Sequence, residues 1–128
     1  MNTNRIDLLI VDDSAAIRKI LQRVLQQTEL PLGAVYEASD GKQALEILRH
    51  HHVSLVLSDI NMPNMDGIEL LRAVRSSAEW RELPVVMITT EGSPAKVAEA
   101  VELHASSYVR KPFTAEQLRD KLSALVVG

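Results

Sequence analysis

Leu55-Val56-Leu57-Ser58-Asp59-Ile60-Asn61-Met62-Pro63 is a short apolar run that ends on a carboxylate, with a proline four residues further on. With Val53, the residues Leu55, Val56 and Leu57 read as a strand buried on both faces, too short and too β-branched for a helix. Pro63 prevents the chain from continuing as a regular strand or helix. Asp59 therefore stands where a strand leaves a sheet, the edge at which open α/β folds bind ligands. Two other runs end in charge. Asp12-Asp13 follow the apolar residues 8–11, and Lys111-Pro112 follow a later run. If these strands are parallel neighbours, three carboxylates and one ammonium meet at one sheet edge.

On either side of that stretch the chain alternates. Residues 6–11 form a first strand. Ser14 offers an N-cap to a helix on which Ile17, Ile20, Leu21, Val24 and Leu25 recur, with Arg18, Lys19, Gln22 and Arg23 on the other face. Pro31 and Gly33 close it, and residues 34–38 form a shorter second strand. Asp40, with Gln43 three residues on, is a capping-box signal for a helix whose inner face is Ala44, Leu45, Ile47 and Leu48. The run His50-His51-His52 reads as a solvated helix end, because adjacent histidines on a helix cannot all face one ion. After the central strand, Asp66 caps a third helix with Ile68, Leu71 and Val74 inside. Residues 76–82, with the only tryptophan, Trp80, form a polar connection, and residues 83–89 a fourth strand. Ser93-Pro94 starts a helix carrying Val97, Ala98 and Val101. Residues 107–110 form a fifth strand, and a Thr114/Gln117 box opens a last helix through Leu118, Leu122 and Leu125.

Five strands alternating with five helices predict an α/β fold, a mostly parallel sheet with helices on both faces and right-handed crossovers. The chain, residues 1–128, reads as one domain without an output domain. Apolar residues are 46% and aromatics only 3%, so the core must be aliphatic and a base-stacking surface is not expected. A net charge of −3 with mixed signs argues against a nucleic-acid backbone binder. No run is long enough for a bilayer, and no cysteine is present. These features are those of a cytoplasmic protein with no membrane partner. Asp12-Asp13-Ser14 replaces the Gly-rich turn that a dinucleotide site needs.

Carboxylates about 5 Å apart repel by about 3 kcal/mol at an effective dielectric near 20. A cluster of them calls for a cation, and an all-oxygen set with room for water suits Mg²⁺. Add Lys111 as a fixed charge and Thr89 as a hydroxyl donor, and the parts for accepting a phosphoryl group on a carboxylate are present.

Asp12-Asp13, the phrase Asp59-Ile60-Asn61-Met62-Pro63-Asn64-Met65-Asp66-Gly67, Thr89, Tyr108 and Lys111-Pro112-Phe113 resemble the receiver domain of two-component response regulators, most of all its stand-alone chemotaxis members. The resemblance covers nearly the whole chain. It implies a flavodoxin-like (βα)5 fold with strand order 2-1-3-4-5, Asp59 as phosphoacceptor and a partner histidine kinase as donor. It implies Mg²⁺ held by Asp13, Asp59 and the backbone carbonyl of Asn61, with Asp12 acting mostly through water. Thr89 would donate to a phosphoryl oxygen, Lys111 would pair with the carboxylate or phosphoryl group, and the Lys111-Pro112 bond would be cis. Thr89 and Tyr108 would be the switch pair, and Asn61 and Glu91 would tune the phosphoryl lifetime. A downstream protein would bind the face of the fourth helix, fifth strand and fifth helix, a phosphatase could reset the state, and the protein would be a monomer. Thr90 adds bulk beside the site, and His104 stands where glycine is frequent, a change expected to alter a helix end. On this reading the protein is a binding module rather than an enzyme. Two alternatives are a phosphorelay intermediate, which returns the group to a histidine phosphotransfer protein, and an aspartate-nucleophile phosphatase, which turns over phosphomonoesters.

Overall fold

The computed structural model describes residues 5–89, 94–111 and 113–126, with backbone alone at Thr89 and Val126. Among them, strands β1 (Ile6–Val11), β2 (Leu32–Ala38), β3 (Leu55–Asp59), β4 (Val85–Thr89) and β5 (Ser107–Arg110) alternate with helices α1 (Ala15–Gln27), α2 (Gly41–His50), α3 (Gly67–Ser76), α4 (Pro94–Glu102) and α5 (Ala115–Val126). Every strand pair is parallel, in the order β2-β1-β3-β4-β5. This is the predicted doubly wound, flavodoxin-like sheet.

Side chains on a strand point alternately to opposite faces, and that period divides the core in two. Leu8, Ile10, Leu55, Leu57, Val86 and Ile88 pack with Leu21 and Leu25 of α1 and Leu118 and Leu122 of α5. Leu9, Val11, Val56, Val85 and Met87 face the other way, onto Ala44 and Leu48 of α2, Ile68, Leu71 and Val74 of α3, and Ala100 of α4. Because both faces are covered, β3 carries no polar residue before Ser58, as a central parallel strand requires. The helix starts are capped as the sequence predicts. Ser14 accepts from Ile17 N–H, and full capping boxes form at Asp66/Glu69 and Thr114/Gln117. At α2 the box slips by one residue: Asp40 accepts from Gln43 N–H, but the Gln43 side chain accepts from Ser39 N–H.

Some details differ from the sequence reading. Gly33 lies inside β2, which begins at Leu32, because its lack of a side chain admits the Asp7 carboxylate; a Cβ there would collide with Asp7 Oδ1. Strand β4 begins at Val85, two residues after Leu83. Trp80, in the polar connection, packs partly against the core. Val101 is exposed, since α4 buries Ala100. Ile20 is also exposed, whereas the Arg18 side chain is 15% accessible. At about 100° per residue, the face centred on Leu21 lies about 60° from Arg18 but about 100° from Ile20, so the arginine is drawn in.

His104 marks the end of α4. Its N–H donates to Val101 and that of Ala105 to Ala100, the paired bonds of a Schellman turn, with His104 at φ 64°. A left-handed backbone costs a residue with a Cβ about 1 kcal/mol. His104→Gly is therefore expected to stabilise the fold by about 0.5–1 kcal/mol, measurable by urea titration. A loss of stability would show that the imidazole makes a compensating contact.

Candidate acidic site at the carboxyl ends of the strands

Strand order reverses at β1, which has β2 on one side and β3 on the other, and a crevice opens at the carboxyl ends where two such connections diverge. Val11 pairs with Ser58, so Asp12 leaves β1 level with Asp59 at the end of β3. Asp59 in turn pairs with Ile88, and Thr89 with Arg110, which brings the ends of β4 and β5 to the same edge. Parallel register alone thus gathers residues scattered over 100 positions.

Asp12, Asp13 and Asp59 each present a carboxylate oxygen within 4.8 Å of the others. Their environments are unequal. Asp12 is buried, with Oδ1 accepting from Ser14 N–H at 2.9 Å and Oδ2 lying 3.7 Å from Lys111 Nζ. Asp13 is exposed, and Asp59 is half-buried with Oδ1 accepting from Ile60 N–H at 2.8 Å. Burial pushes the Asp59 carboxyl above the usual carboxylate range; Lys111 opposes this, Asp12 adds to it, and the N–H groups of Ile60 and Asn61 oppose it. A desolvated carboxylate beside two others is a site that favours a hard divalent cation, and the oxygen-only donor set fits Mg²⁺.

The expected residues are therefore brought together, with one change. The ammonium of Lys111 contacts Asp12, while its charge still acts on Asp59. Asn61 is exposed in the loop after β3, with its N–H toward the Asp59 carboxylate. Tyr108 lies on β5, 41% exposed, with Lys121 Nζ 5.7 Å from its ring centroid. The Thr89 side chain, Thr90, Glu91 and the Lys111-Pro112 bond lie outside the described residues. The histidine run is placed as expected at a helix end. His50 Nε2 lies 2.8 Å from Glu46 Oε2, and the His51 ring centroid lies 4.5 Å from that of Tyr36. Among the described residues, the acidic triad is the one group of three or more metal-ligating side chains.

Two supports come from contacts between elements distant in sequence. Asp40 Oδ2 accepts from Asn64 Nδ2 at 2.9 Å while Oδ1 caps α2, so one carboxylate ties α2 to the loop that follows Asp59. Asn64 takes φ 67°, which asparagine tolerates, and Gly41 N–H donates to Met65 O across the same seam. The bond to Gln43 N–H, followed by that from Asn64, holds the Asp40 carboxyl below its ordinary value. A group whose pKa is lower in the folded state stabilises above its unfolded pKa, near 3.9, and loses that contribution as pH falls through the folded value. Urea titrations are expected to show wild-type stability declining below about pH 4, and Asp40→Asn is expected to flatten that decline. At neutral pH, Asp40→Ala is expected to cost about 2 kcal/mol, from the cap and the Asn64 bond together. An unchanged acid slope in Asp40→Asn would remove this assignment. The second support is Arg18, whose guanidinium donates to the Asp12 carbonyl and to Glu37.

Residues 8–123 match the response regulator receiver domain family. A chemotaxis protein CheY homolog of Campylobacter jejuni is 39% identical over 116 residues, 90% of this chain and 88% of that protein. The chemotaxis response regulator CheY4 of Vibrio cholerae superposes with a TM-score of 0.82 at 35% identity, covering 94% of this chain and 98% of that one. A signal receiver domain of an HD domain-containing protein from Pseudomonas fluorescens gives 0.86 at 28% identity, covering 96% and 95%. With an acidic triad at the switch point of a 2-1-3-4-5 sheet and a lysine at the end of its last strand, the chain belongs to the response regulator receiver family, and within it to the CheY-like receivers.

Proposed function

We infer that this protein accepts a phosphoryl group on Asp59 from a phosphohistidine of a partner kinase and signals by phosphorylation-dependent protein binding, in chemotaxis or motility. The observation that carries this reading is the convergence of Asp12, Asp13 and Asp59 within 4.8 Å, with Asp59 the half-buried member. Asp12, Asp13, Asp59 and the backbone carbonyl of Asn61 would hold Mg²⁺, which when bound neutralises charge on the transferring oxygens. The other tasks fall to the chain. Asp59 must be ionised to attack. Its Oδ–P bond forms as the donor's N–P bond breaks, and the leaving imidazole takes a proton from solvent. Ile60 N–H fixes the rotation of the attacking carboxylate. Lys111, released from Asp12, offers its charge to the phosphoryl oxygens, with Thr89 as a further donor.

Output would involve the other end of β5. A cavity of about 210 Å³ between α4 and β5 is lined by Ile60, Met87, Val97, Ala100 and Tyr108, among others. It offers Tyr108 a place to turn inward, and phosphorylation would shift the population between the two packings. The face of α4, β5 and α5 would then meet a downstream protein. On this proposal the protein is a monomeric cytoplasmic module that turns over only its own phosphoryl group. No helix among the described residues is long and apolar enough to cross a membrane.

Intact-mass measurement after incubation with acetyl phosphate and Mg²⁺ tests the reading. A labile, Mg²⁺-dependent phosphoryl adduct is expected on the wild type and absent from Asp59→Asn. No adduct under any condition would make Asp59 a structural strand end, and steady release of phosphate from a phosphomonoester would point to a phosphatase instead.

A further inference from the structure

We propose that Arg18 is a positioning residue for the metal-binding carboxylates, an inference that rests on the receiver reading above. Arg18 lies one turn into α1, and its side chain folds back over the helix start. Nη1 donates to the backbone carbonyl of Asp12 at 2.5 Å, and Nε donates to Glu37 Oε1 on β2 at 2.8 Å. Its own N–H donates to Ser14 O, and Asp12 N–H donates to Ala38 O at the end of β2. One guanidinium fork therefore ties the exit of β1, the start of α1 and the edge strand together.

The carbonyl that Arg18 holds belongs to the peptide joining Asp12 to Asp13. Rotation of that peptide plane sets the direction in which the Asp13 side chain leaves the backbone. Asp12 has further restraints, at Ser14 N–H, Ala38 O and Lys111. Asp13 is exposed, and no bond from its carboxylate to a neighbouring group is found among the described residues, so its aim toward Asp59 depends on the peptide behind it. Arg18 supplies that restraint, and Glu37 braces Arg18 from the far side.

Charge alone predicts the opposite sign. A cation beside a cation site weakens it, so removing the guanidinium would tighten Mg²⁺ binding if Arg18 acted only through its field. Lysine separates the two effects further. It keeps the charge but lacks the planar fork that reaches Asp12 O and Glu37 together. Positioning therefore predicts weaker Mg²⁺ binding in both Arg18→Ala and Arg18→Lys, whereas electrostatics predicts tighter binding in the first and no change in the second.

The test is calorimetric titration of Mg²⁺ into the full chain at a temperature where circular dichroism shows each variant folded. Dissociation constants about fivefold or more above wild type are expected for both substitutions. A merely structural role would lower the melting temperature and leave the Mg²⁺ constant of the folded protein unmoved, which would overturn the proposal. Wild-type affinity in Arg18→Lys, or tighter binding in Arg18→Ala, would overturn it as well. Absence of Mg²⁺ binding by the wild type would instead remove the proposed Mg²⁺-dependent phosphoacceptor function, and this inference with it.

Discussion

Gly67→Ala is expected to cost about 3 kcal/mol, lowering the melting temperature by about 10 °C, and to slow phosphoryl uptake on whatever protein remains folded. Gly67 is the first residue of α3, and its N–H donates to Ile60 O at 2.8 Å. The helix start thus rests on the chain as it leaves β3. A methyl group at Gly67 would collide with the backbone carbonyl of Asp59, and would stand 2.8 Å from Met87 Cε and 3.0 Å from Ile60 Cα. The methionine can turn aside, but the backbone cannot, because Asp59 is itself paired with Ile88 of β4 and directly follows Ser58, which is paired with Val11 of β1. Either α3 lifts or Asp59 shifts. Both outcomes reach the acidic triad, so stability and reactivity should fall together. Gly41→Ala provides the contrast. The three atoms nearest its Cβ all belong to the Met65 side chain, Cγ at 2.5 Å, Sδ at 2.7 Å and Cβ at 3.0 Å, so a flexible thioether chain rather than backbone must give way. Thermal melts of the two variants, with acetyl phosphate labelling at a temperature below both transitions, measure the difference. Equal melting temperatures would show that α3 can retreat without strain.

Much of this architecture was legible because the signals are local or periodic. Leu55, Val56 and Leu57 could only be a strand covered on both faces, and the alternation of Leu8 and Ile10 with Leu9 and Val11 now divides the two core layers. Strand ends bearing Asp12, Asp59 and Lys111 then converge through parallel register, which follows from topology once the alternation is read. What escaped is contact between elements. Arg18 sits among polar residues of α1 and reads as solvated, yet its long stem lies along the helix flank while its head finds a carbonyl six residues back and Glu37 on another strand. The Asp40–Asn64 bond joins positions 24 apart and has no pattern in the chain. Gly67 has no mark in the sequence beyond its place after the Asp66 cap, whereas its importance is the close approach to the Asp59 carbonyl. The one faint signal for Arg18 was its place four residues after the Ser14 cap, where a side chain can reach back over the turn.

Asp13→Asn is expected to reverse the order of stability between metal-free and Mg²⁺-containing buffer. Without Mg²⁺, carboxylate oxygens within 4.8 Å of one another repel by roughly 3 kcal/mol per pair at an effective dielectric near 20. Asp13 is exposed, and solvent and salt reduce its share to about 1 kcal/mol. Removing that charge should therefore raise the metal-free melting temperature by about 4 °C. The same carboxylate is the least encumbered member of the triad, since Asp12 is engaged by Ser14 N–H and Lys111 and Asp59 by Ile60 N–H. Its loss should weaken Mg²⁺ binding more than tenfold. At free Mg²⁺ about a hundred times the wild-type dissociation constant, binding stabilises the wild type by about 2.7 kcal/mol, while the variant gains at most about 1.4 kcal/mol. The advantage of the variant, about 1 kcal/mol without metal, is then cancelled or reversed, because the ion compensates a repulsion that folding alone leaves in place. Differential scanning calorimetry across a Mg²⁺ series reads both limits. A wild-type transition that ignores Mg²⁺, or a metal-free Asp13→Asn protein that melts below the wild type, would mean that the three carboxylates are not held against their mutual repulsion for the sake of an ion.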